Sequence, residues 1–311
     1  MSKLLIIDGN AIVHRAFHAY PPQLTTPDGR LNNAVYGFLA MLVKVLEEVK
    51  PEYLVICFDR PAPTFRKLLY AGYQANRPQM ADGLSGQIKM LHTALEHIKI
   101  PLFEIDGYEA DDLIGTLSVQ AKNEGVESVI LSGDRDLLQL VNDKVSIFMP
   151  LIGITKFLFY TPKKVEEKFG VKPQQFIDYK ALVGDASDGY PGITGIGPKT
   201  AASLLQTYGS FENLYKNINE LKPQIAERLA TDAEQGALAK KLATIVIDAP
   251  VHLQLSSALV TNFTRESVIE VCEELGIHSL QKRLGFFKES GISLKKSIKK
   301  VEKNENQLEL I

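Results

Sequence analysis

The chain has 311 residues, 45% of them hydrophobic, which is enough for one large or two small globular domains with a hydrophobic core. No apolar run approaches the roughly 18 residues that a membrane helix requires, and the N-terminus enters a strand pattern with no signal-peptide pattern. These observations argue against a membrane protein and predict a cytoplasmic location. Cys57 and Cys272 lack the spacing of a zinc site or a disulfide framework, so both are interpreted as buried packing residues.

Strand-like apolar runs alternate with helical patterns in the first half of the chain. Strands are predicted at 4–7, 53–58, 128–132 and 145–149, and helices at about 34–49, 84–98 and 109–124. This alternation predicts an α/β fold with a mostly parallel sheet covered by helices. Helical patterns then dominate up to residue 287. The predicted units are an α/β domain at 1–160, a helical domain at 161–290 and a Lys-rich tail at 291–311.

Acidic residues cluster at the ends of apolar runs. In open parallel sheets, ligands bind beyond the carboxyl ends of the strands, so these acids should converge. Acids that share a partly buried pocket repel one another unless they are protonated or hold cations. The pattern predicts a phosphodiesterase site with two divalent ions, Mg²⁺ or Mn²⁺. Its candidate ligands are Asp8, Asp59, Glu109, Asp111, Asp112, Asp134, Asp136, Asp185 and Asp188.

Spacing within two of the clusters can be compared with regular geometry. Asp134 and Asp136 are two residues apart after a strand, so they face the same side of an extended segment. Glu109 and Asp112 would share a helical face, whereas Asp111 would lie about 200° round from Glu109. For any single acid, a cap or turn role is as good an interpretation as metal binding. Nine acids placed in this way are not explained by cap and turn roles alone.

The charge balance is consistent with a polyanionic partner. The net charge is −2, and without the nine candidate ligands it would be +7. Basic residues concentrate at positions 60–100 and 282–303. An acidic pocket surrounded by basic surface suits a nucleic acid that is cut with the help of metals. For the lysines of the tail, simple solvation of the chain is the alternative.

A glycine-rich motif, GITGIGPKTAASLL, occupies residues 192–205. Its glycines let backbone amides approach a phosphate, Pro198 suits the first position of a helix, and Lys199 adds positive charge at the helix N-terminus. The motif predicts a phosphate-binding hairpin between two helices. Contacts made through the backbone would hold a duplex without reading its sequence.

Five motifs together resemble the 5′-nuclease domain of bacterial DNA polymerase I, within the flap endonuclease superfamily. They are IIDGNAIVHRAFHAYPP, FDRPAPTFRKLLYAGYQANRP, GYEADDLIGTL, LSGDRDLLQLV and LVGDASDGYPGITGIGPKTA. The resemblance covers about residues 3–287. It implies a PIN-like, Rossmann-like fold followed by a helix-hairpin-helix domain. It also implies a metal-dependent 5′-3′ exonuclease or flap endonuclease that acts on branched DNA and RNA primers in replication and repair.

The resemblance also implies roles for individual residues. The first metal position would be lined by Asp8, Asp59, Glu109, Asp111 and Asp134. The second, directly or through water, would involve Asp112, Asp136, Asp185 and Asp188. An arch at about 60–85 would pass single-stranded 5′ ends, with Phe65, Tyr70 and Tyr73 stacking on bases or packing in the protein. Lys67 and Arg77 would act beside Asp8 and Asp59 in catalysis. The implied DNA contacts are Arg15, Arg66, Lys67, Tyr73, Gln74, Arg77, Gly195, Gly197, Lys199 and Thr200, with K⁺ a further candidate at the hairpin.

The chain departs from the family pattern at three places. Gln74 stands where the family usually has lysine after the tyrosine of the arch, so a positive charge near the scissile phosphate is missing. The hypothesis is that activity is lower than in relatives, or that Lys67 or Arg77 substitutes in part. His14 stands where an aromatic residue is common, and Gly189-Tyr190 replaces the usual Asn-Ile.

The last residues, NENQLELI, resemble the short peptide by which bacterial replication proteins dock on the sliding clamp. A Lys-rich tether precedes this segment and would raise the local concentration of the enzyme near its substrate. A frayed tail, or a cut within a longer polymerase, is the alternative. The predicted clamp-binding residues are Gln307, Leu308, Leu310 and Ile311.

Other functional classes remain open. A PIN-type ribonuclease would share the sheet and the acidic pocket but would lack the glycine hairpin and the arch. A catalytically damped protein that binds branched DNA would keep Lys199 but would not need nine acids. A haloacid-type phosphatase is disfavoured because Asp8 is followed by Gly9-Asn10, with no second aspartate two positions on. A monomer is expected.

Overall fold

Six strands form the main sheet of the computed structural model, which describes residues 2–77, 79–152 and 156–280. The strands are β1 Lys3–Asp8, β2 Tyr53–Cys57, β3 Leu102–Phe103, β4 Glu127–Leu131, β5 Val145–Ile152 and β6 Lys156–Tyr160. Their order is β3-β2-β1-β4-β5-β6, and all neighbours are parallel except β5 and β6. The predicted mostly parallel sheet is confirmed. The short β3 and the antiparallel edge strand β6 were not predicted.

Helices cover both faces of this sheet, which explains why its strands are apolar at nearly every position. Leu4 and Ile6 point into one core, while Leu5 and Ile7 point into another on the opposite face. The helices of the first half are α1 Gly9–Ala19, α2 Asn33–Val49, α3 Phe65–Leu69, α4 Leu84–His97 and α5 Ala110–Asn123. The predicted helices correspond to α2, α4 and α5, and α3 lies within the helical arch predicted at about 60–85, while α1 was not predicted.

The second half is helical, as predicted, with one small addition. Its helices are α6 Pro162–Phe169, α7 Phe176–Val183, α8 Pro198–Tyr208, α9 Phe211–Lys216, α10 Pro223–Thr231, α11 Ala233–Ala243 and α12 Arg265–Glu274. Between α7 and α8, the strands β7 Gly184–Asp185 and β8 Tyr190–Pro191 form a two-stranded antiparallel ribbon. The predicted metal ligand Asp185 lies in β7, and Asp188 lies in the turn between the two strands. The ribbon was not predicted because each strand is only two residues long.

The helical part does not pack as a separate body. Leu4 and Ile130 of the sheet share one core with Leu205 of α8. The chain then returns to the first half, where the Ala249 N–H donates to Thr116 Oγ1 of α5 at 3.0 Å. Farther on, α12 packs on the face of α2 and α4. Residues 249–280 therefore belong to the α/β unit by their contacts, although they fall within the predicted second domain.

Among the helices of the described ranges, none is both long and apolar enough to cross a membrane. The predicted clamp-binding residues Gln307, Leu308, Leu310 and Ile311 lie outside the described residues. Clamp binding therefore stays a prediction from sequence.

Candidate functional site

Three neighbouring strands bring the acidic clusters together at one edge of the sheet. Asp8 ends β1, Asp59 follows β2, and Asp134 and Asp136 follow β4. Because β2, β1 and β4 are adjacent and parallel, these carboxylates project from the same edge. Asp8 is held by two hydrogen bonds, one from the Ala11 N–H at 3.0 Å and one from a serine hydroxyl on the other side.

Ser132 is that second partner, and the sequence did not reveal it. Its hydroxyl donates to Asp8 Oδ2 at 2.6 Å and accepts from the Asp134 N–H at 2.9 Å. The side chain of Asn10 plays a similar part, since its Oδ1 accepts from the Asp59 N–H at 3.2 Å. Both residues orient acids without being acidic. A search for metal-ligating residue types therefore passes over them.

In the first group of acids, Asp8 is buried, the other four are half-buried, and their charges repel one another. The pKa of Asp8 is raised to about 7, mainly by burial; the charges of Asp59 and Asp134 add to this effect, and the hydrogen bonds from Ser132 and Ala11 oppose it. Burial also raises the pKa of Asp111 well above its ordinary value, with added repulsion from Asp134, Asp8 and Asp59. Carboxylates that raise one another's pKa in this way favour a cation among them. Asp111 does reach this group, because it lies in the first turn of α5.

The N-terminus of α5 supplies further polar contacts. The Ala110 N–H donates to Asp59 Oδ1 at 2.7 Å, which fixes the acid of β2 against the helix end. Glu109 accepts from Thr64 Oγ1 at 3.0 Å and from the Tyr73 hydroxyl at 3.0 Å. Burial is the main cause that raises the pKa of Glu109, and these donors oppose it. Glu109 thus joins the first group to the arch.

A second group of acids lies beside the first. Oxygens of Asp136, Asp185 and Asp188 all lie within 4.8 Å of one another. Lys180 of α7 places its ammonium against the carboxylates of both Asp136 and Asp185. Carboxylate oxygens are the ligands that Mg²⁺ and Mn²⁺ prefer. A donor set that already attracts an ammonium group fits a divalent cation, and Lys180 was not identified from the sequence.

Asp188 is also the docking point of the arch. Its Oδ1 accepts from the Arg77 guanidinium at 2.8 Å and from Gln74 Nε2 at 3.2 Å, and its carbonyl accepts from the Gln74 N–H at 2.8 Å. Gly189, with φ of +74°, permits this approach. A Cβ on Gly189 would lie 2.8 Å from the Gly72 carbonyl oxygen. The segment 72–77 therefore rests directly on the turn that carries Asp188.

Tyr73 packs inside the protein and is not free to stack on a base. Tyr73 is only 4% exposed. Its ring stacks on that of Tyr190, with the ring centroids 6.3 Å apart. Its hydroxyl is bound to Glu109. The expectation that Tyr73 contacts DNA is wrong, and packing explains its position. Phe65 is half-buried and packs edge-on against Tyr108.

Arg66 is also internal. The residue is 2% exposed, and its guanidinium donates to both oxygens of Asp112 at 2.8 Å. It also donates to the backbone carbonyls of Leu242 and Thr244 at 2.9 and 2.8 Å. With these partners Arg66 cannot reach a nucleic-acid backbone. The expectation that it contacts phosphate is therefore wrong; it joins the arch to α5 and α11.

Asp112 has no acceptor position left for a metal. Besides Arg66, it accepts from the Glu109 N–H at 3.0 Å and from the Val246 N–H at 2.8 Å, so each of its oxygens has two donors. The residue is fully buried. The expectation that Asp112 completes the second metal position is wrong because all of its lone pairs are engaged. Of the other eight predicted ligands, Asp136, Asp185 and Asp188 have oxygens within 4.8 Å of one another. Asp59 and Asp134 lie near enough to raise the pKa of Asp8, and all three raise that of Asp111. Metal binding by these residues stays a prediction.

The remaining predicted DNA contacts lie at or near the surface. Lys67 is exposed on α3, a helix of five residues in the predicted arch. Arg15 is half-buried in α1. In the glycine hairpin, Gly195, Gly197 and Lys199 are exposed and Thr200 is half-buried, just ahead of or within the first turn of α8.

One further basic residue lies at this hairpin. Arg228 of α10 donates to the Gly195 carbonyl oxygen at 2.8 Å. Gly195 has φ of +76°, and a Cβ there would lie 2.8 Å from the Arg228 guanidinium. The hairpin therefore depends on glycine for its contact with α10. This contact was not visible in the sequence because Arg228 lies 33 residues away from the glycine.

The chain is similar to known proteins along most of its length. It is 43% identical over 285 residues to DNA polymerase I of Caldicellulosiruptor bescii, and 41% identical over 284 residues to that of Bacillus subtilis. Each match covers 91% of this chain, but only 33% and 32% of the two polymerases. The chain thus spans about one third of the length of these curated relatives.

Solved structures show the same fold at low sequence identity. The T5 D15 protein co-crystallized with metal ions matches with a TM-score of 0.63 at 20% identity, over 91% of this chain and 97% of that one. The catalytic core of Rad2 in complex with a DNA substrate matches with a TM-score of 0.58 at 17% identity, over 91% of each chain.

Two family models match consecutive parts of the chain. The model described as the N-terminal resolvase-like domain of the 5′-3′ exonucleases matches residues 3–170. The model described as the C-terminal SAM fold of the same group matches residues 171–266. The resolvase-like sheet and the helical part that follows it correspond to the two halves described above. The chain belongs to the 5′-3′ exonuclease family.

Proposed function

We propose that this chain is a structure-specific 5′ nuclease that hydrolyses phosphodiester bonds at 5′ ends and flaps of DNA, and of RNA primers, in replication and repair. It would use two divalent ions, Mg²⁺ or Mn²⁺. The reaction is a hydrolysis, so the protein needs to position water and phosphate but does not need a nucleophile of its own.

The observation that supports the proposal is the cluster of Asp136, Asp185 and Asp188, whose oxygens lie within 4.8 Å of one another beside further acids at the same edge of the sheet. Asp8, Asp59, Glu109, Asp111 and Asp134 would hold one ion, and Asp136, Asp185 and Asp188 the other. Divalent ions held in such a pair of positions supply an activated water and offset the charge that develops on the phosphate. The raised pKa values of Asp8 and Asp136, each about 7, fit a site in which cations keep these acids ionised.

Other residues of the chain position the acids. Ser132 orients Asp8, and the N-terminus of α5 orients Asp59. Lys180 keeps Asp136 and Asp185 close together, because its ammonium contacts both carboxylates. These contacts fix the directions of the ligands before any ion binds, and a site prepared in this way loses less entropy on binding.

The surface around the site suits a nucleic acid. Half of the Arg77 side chain is exposed at the base of the arch, and Lys67 is exposed on α3. The exposed hairpin Gly195–Lys199 presents backbone amides and a lysine at the start of α8, as a phosphate-binding element would. A K⁺ ion at this hairpin, a monomeric state, a cytoplasmic location and sliding-clamp binding through Ile311 and its neighbours complete the proposal.

The experiment is cleavage of a 5′-labelled flap duplex with Mg²⁺, in which the wild type is compared with Asp134→Ala. A matched control is Asp143→Ala, which removes an exposed acid at the opposite end of the sheet. Short 5′ products from the wild type and from Asp143→Ala, but not from Asp134→Ala, are expected. Equal cleavage by all three proteins would contradict the assignment of the site.

A damped protein that binds branched DNA is the second candidate. The observation that favours it is Gln74, an uncharged residue that contacts Asp188 where the resembling family has lysine. Flap binding in a gel-shift assay without any Mg²⁺- or Mn²⁺-dependent cleavage would support this candidate. Cleavage that favours single-stranded RNA over the DNA flap would instead indicate a ribonuclease of the PIN type.

A further inference from the structure

Tyr190 is a buried residue whose hydroxyl has no partner among the described residues. The residue is 3% exposed, and its Oη makes no hydrogen bond within the described ranges. A buried polar group without a partner costs free energy, so proteins seldom keep one unless it has a role. Two other tyrosines of the protein do bond their hydroxyls. Tyr73 donates to Glu109, and Tyr215 donates to the Leu229 carbonyl oxygen at 2.9 Å.

The register of the β7–β8 ribbon places Tyr190 beside the second group of acids. In the β7–β8 ribbon, Tyr190 lies directly opposite Asp185. Residues opposite one another on an antiparallel pair project to the same face, with their Cβ atoms about 4.5–5.5 Å apart. The ring is fixed between that of Tyr73 and the residues Ala239 and Leu242 of α11. The side chain therefore has little freedom to turn elsewhere.

The acids of the second group already have cationic partners. Asp136 and Asp185 contact Lys180, and Asp188 contacts Arg77. Among the described residues, no hydrogen bond joins the Tyr190 hydroxyl to any of these carboxylates.

We propose that Tyr190 is a positioning residue of the second cation position. Its hydroxyl would donate a hydrogen bond to an oxygen beside a divalent ion that Asp136, Asp185 and Asp188 would hold. That oxygen belongs either to water or to a phosphate of the substrate, and the hydroxyl recognises the same acceptor chemistry in both. The inference rests on the proposed function and deepens it.

Gly189 and Tyr190 act together. Gly189 allows Gly72 to approach closely, and that approach brings the ring of Tyr73 alongside Tyr190. The two rings therefore lie side by side next to the turn that carries Asp188.

The test is Mn²⁺ binding to metal-free wild type and Tyr190→Phe, measured by calorimetry without DNA. The variant keeps the ring and loses only the hydroxyl. Residues that orient metal ligands contribute about 10- to 100-fold to metal affinity, so the weaker of the two binding steps is expected to weaken about 10-fold. The melting temperature of the metal-free variant is expected to equal or exceed that of the wild type, because no bond within the described chain is lost. A merely structural hydroxyl would lower it.

Tyr215→Phe is the matched control. It removes a hydroxyl that does have a partner, the Leu229 carbonyl oxygen, far along the chain from the acids. This variant is expected to melt at a lower temperature than the wild type while it binds Mn²⁺ as the wild type does. The two variants should therefore show opposite patterns in stability and in metal affinity.

A second arm repeats the titration with Ca²⁺ and a 5′-flap duplex, with DNA affinity as the readout. A defect of Tyr190→Phe already present without DNA identifies water as the acceptor, and a defect only with DNA identifies phosphate. Unchanged affinity in both arms would overturn the inference while the proposed function stands. A wild-type protein that binds neither ion would instead overturn the proposed two-ion function, and the role of Tyr190 with it.

Discussion

The guanidinium of Arg66 forms a bidentate ion pair with Asp112, both N–O distances being 2.8 Å, inside the protein. Two residues that the sequence suggested for DNA and metal binding thus satisfy each other. Their pair connects α3, at the base of the arch, to α5, which carries Glu109 and Asp111. The arch is therefore attached to the metal site through a buried contact and not only through the chain.

The buried pair predicts that Arg66→Met lowers the stability of the protein. Removal of one partner of a buried ion pair leaves the other charge uncompensated, which costs about 3–5 kcal/mol of unfolding free energy. Urea denaturation followed by circular dichroism measures this loss. The neighbouring Lys67→Met is the control, because Lys67 is exposed and should affect flap binding without a change in stability. Equal stability of Arg66→Met and the wild type would contradict the structural role of Arg66.

The position of Lys180 predicts that Mg²⁺ binding and thermal stability are linked. Its ammonium offsets the charges of Asp136 and Asp185, so Lys180→Met should destabilise the metal-free protein and make its melting temperature rise more steeply with Mg²⁺. Lys240→Met is the matched control. Lys240 also bridges two acids, Asp178 at 2.6 Å and Glu212 at 2.5 Å, but away from the metal site. If both variants respond to Mg²⁺ as the wild type does, Lys180 does not belong to the cation position.

The raised pKa values predict how stability depends on pH. Asp8 and Asp136 have an ordinary pKa of 3.8 and a folded-state pKa of about 7, mainly because they are buried. Each therefore binds its proton more tightly when folded, and the stability this contributes is lost as pH rises from about 4 through 7. Metal-free protein in EDTA should lose a few kcal/mol of unfolding free energy across this range. His14, which is half-buried, has a lowered pKa, so its contribution to stability rises with pH and opposes this trend.

A comparison with Asp8→Asn isolates this effect. The amide does not titrate, so the difference in unfolding free energy between the variant and the wild type should change with pH in the sense given above. Saturating Mg²⁺ should reduce the pH dependence of the wild type, because cations favour the ionised acids. A metal-free protein whose stability rises steadily from pH 5 to pH 8 would contradict the prediction.

Gln74→Lys is expected to raise turnover on a 5′-flap substrate several-fold. Gln74 has φ of +53° and already contacts Asp188 through both its backbone and its side chain. A lysine with the same backbone would bring its ammonium to the second group of acids, beside Arg77. The measurement is single-turnover cleavage under saturating enzyme. Gln79→Lys adds the same charge to an exposed position nearby and serves as the control. No change in Gln74→Lys, or an equal gain in both variants, would reject the hypothesis.

The positions of the acids could be predicted because they depend on local pattern. Asp8, Asp59 and Asp134 come at the ends of apolar runs, and in a parallel sheet those ends share one edge. The glycine hairpin before α8 could also be predicted from the sequence, because the backbone preferences of Gly197 and Pro198 favour a helix start. Such features need only a few consecutive residues, and the sequence alone determined them.

Partners distant in the chain were decided by the tertiary structure. Arg66 meets Asp112 across 46 positions, and Lys180 meets Asp136 from a helix in the other half of the protein. A charged residue has the same spacing in the sequence whether its side chain faces solvent or an acid brought close by folding. For this reason Asp112 and Arg66 were misassigned, and Lys180 and Ser132 were missed. The sequence by itself determined which acids reach the edge of the sheet; only the packing of arch, ribbon and helices decided which of them keep free oxygens for a metal.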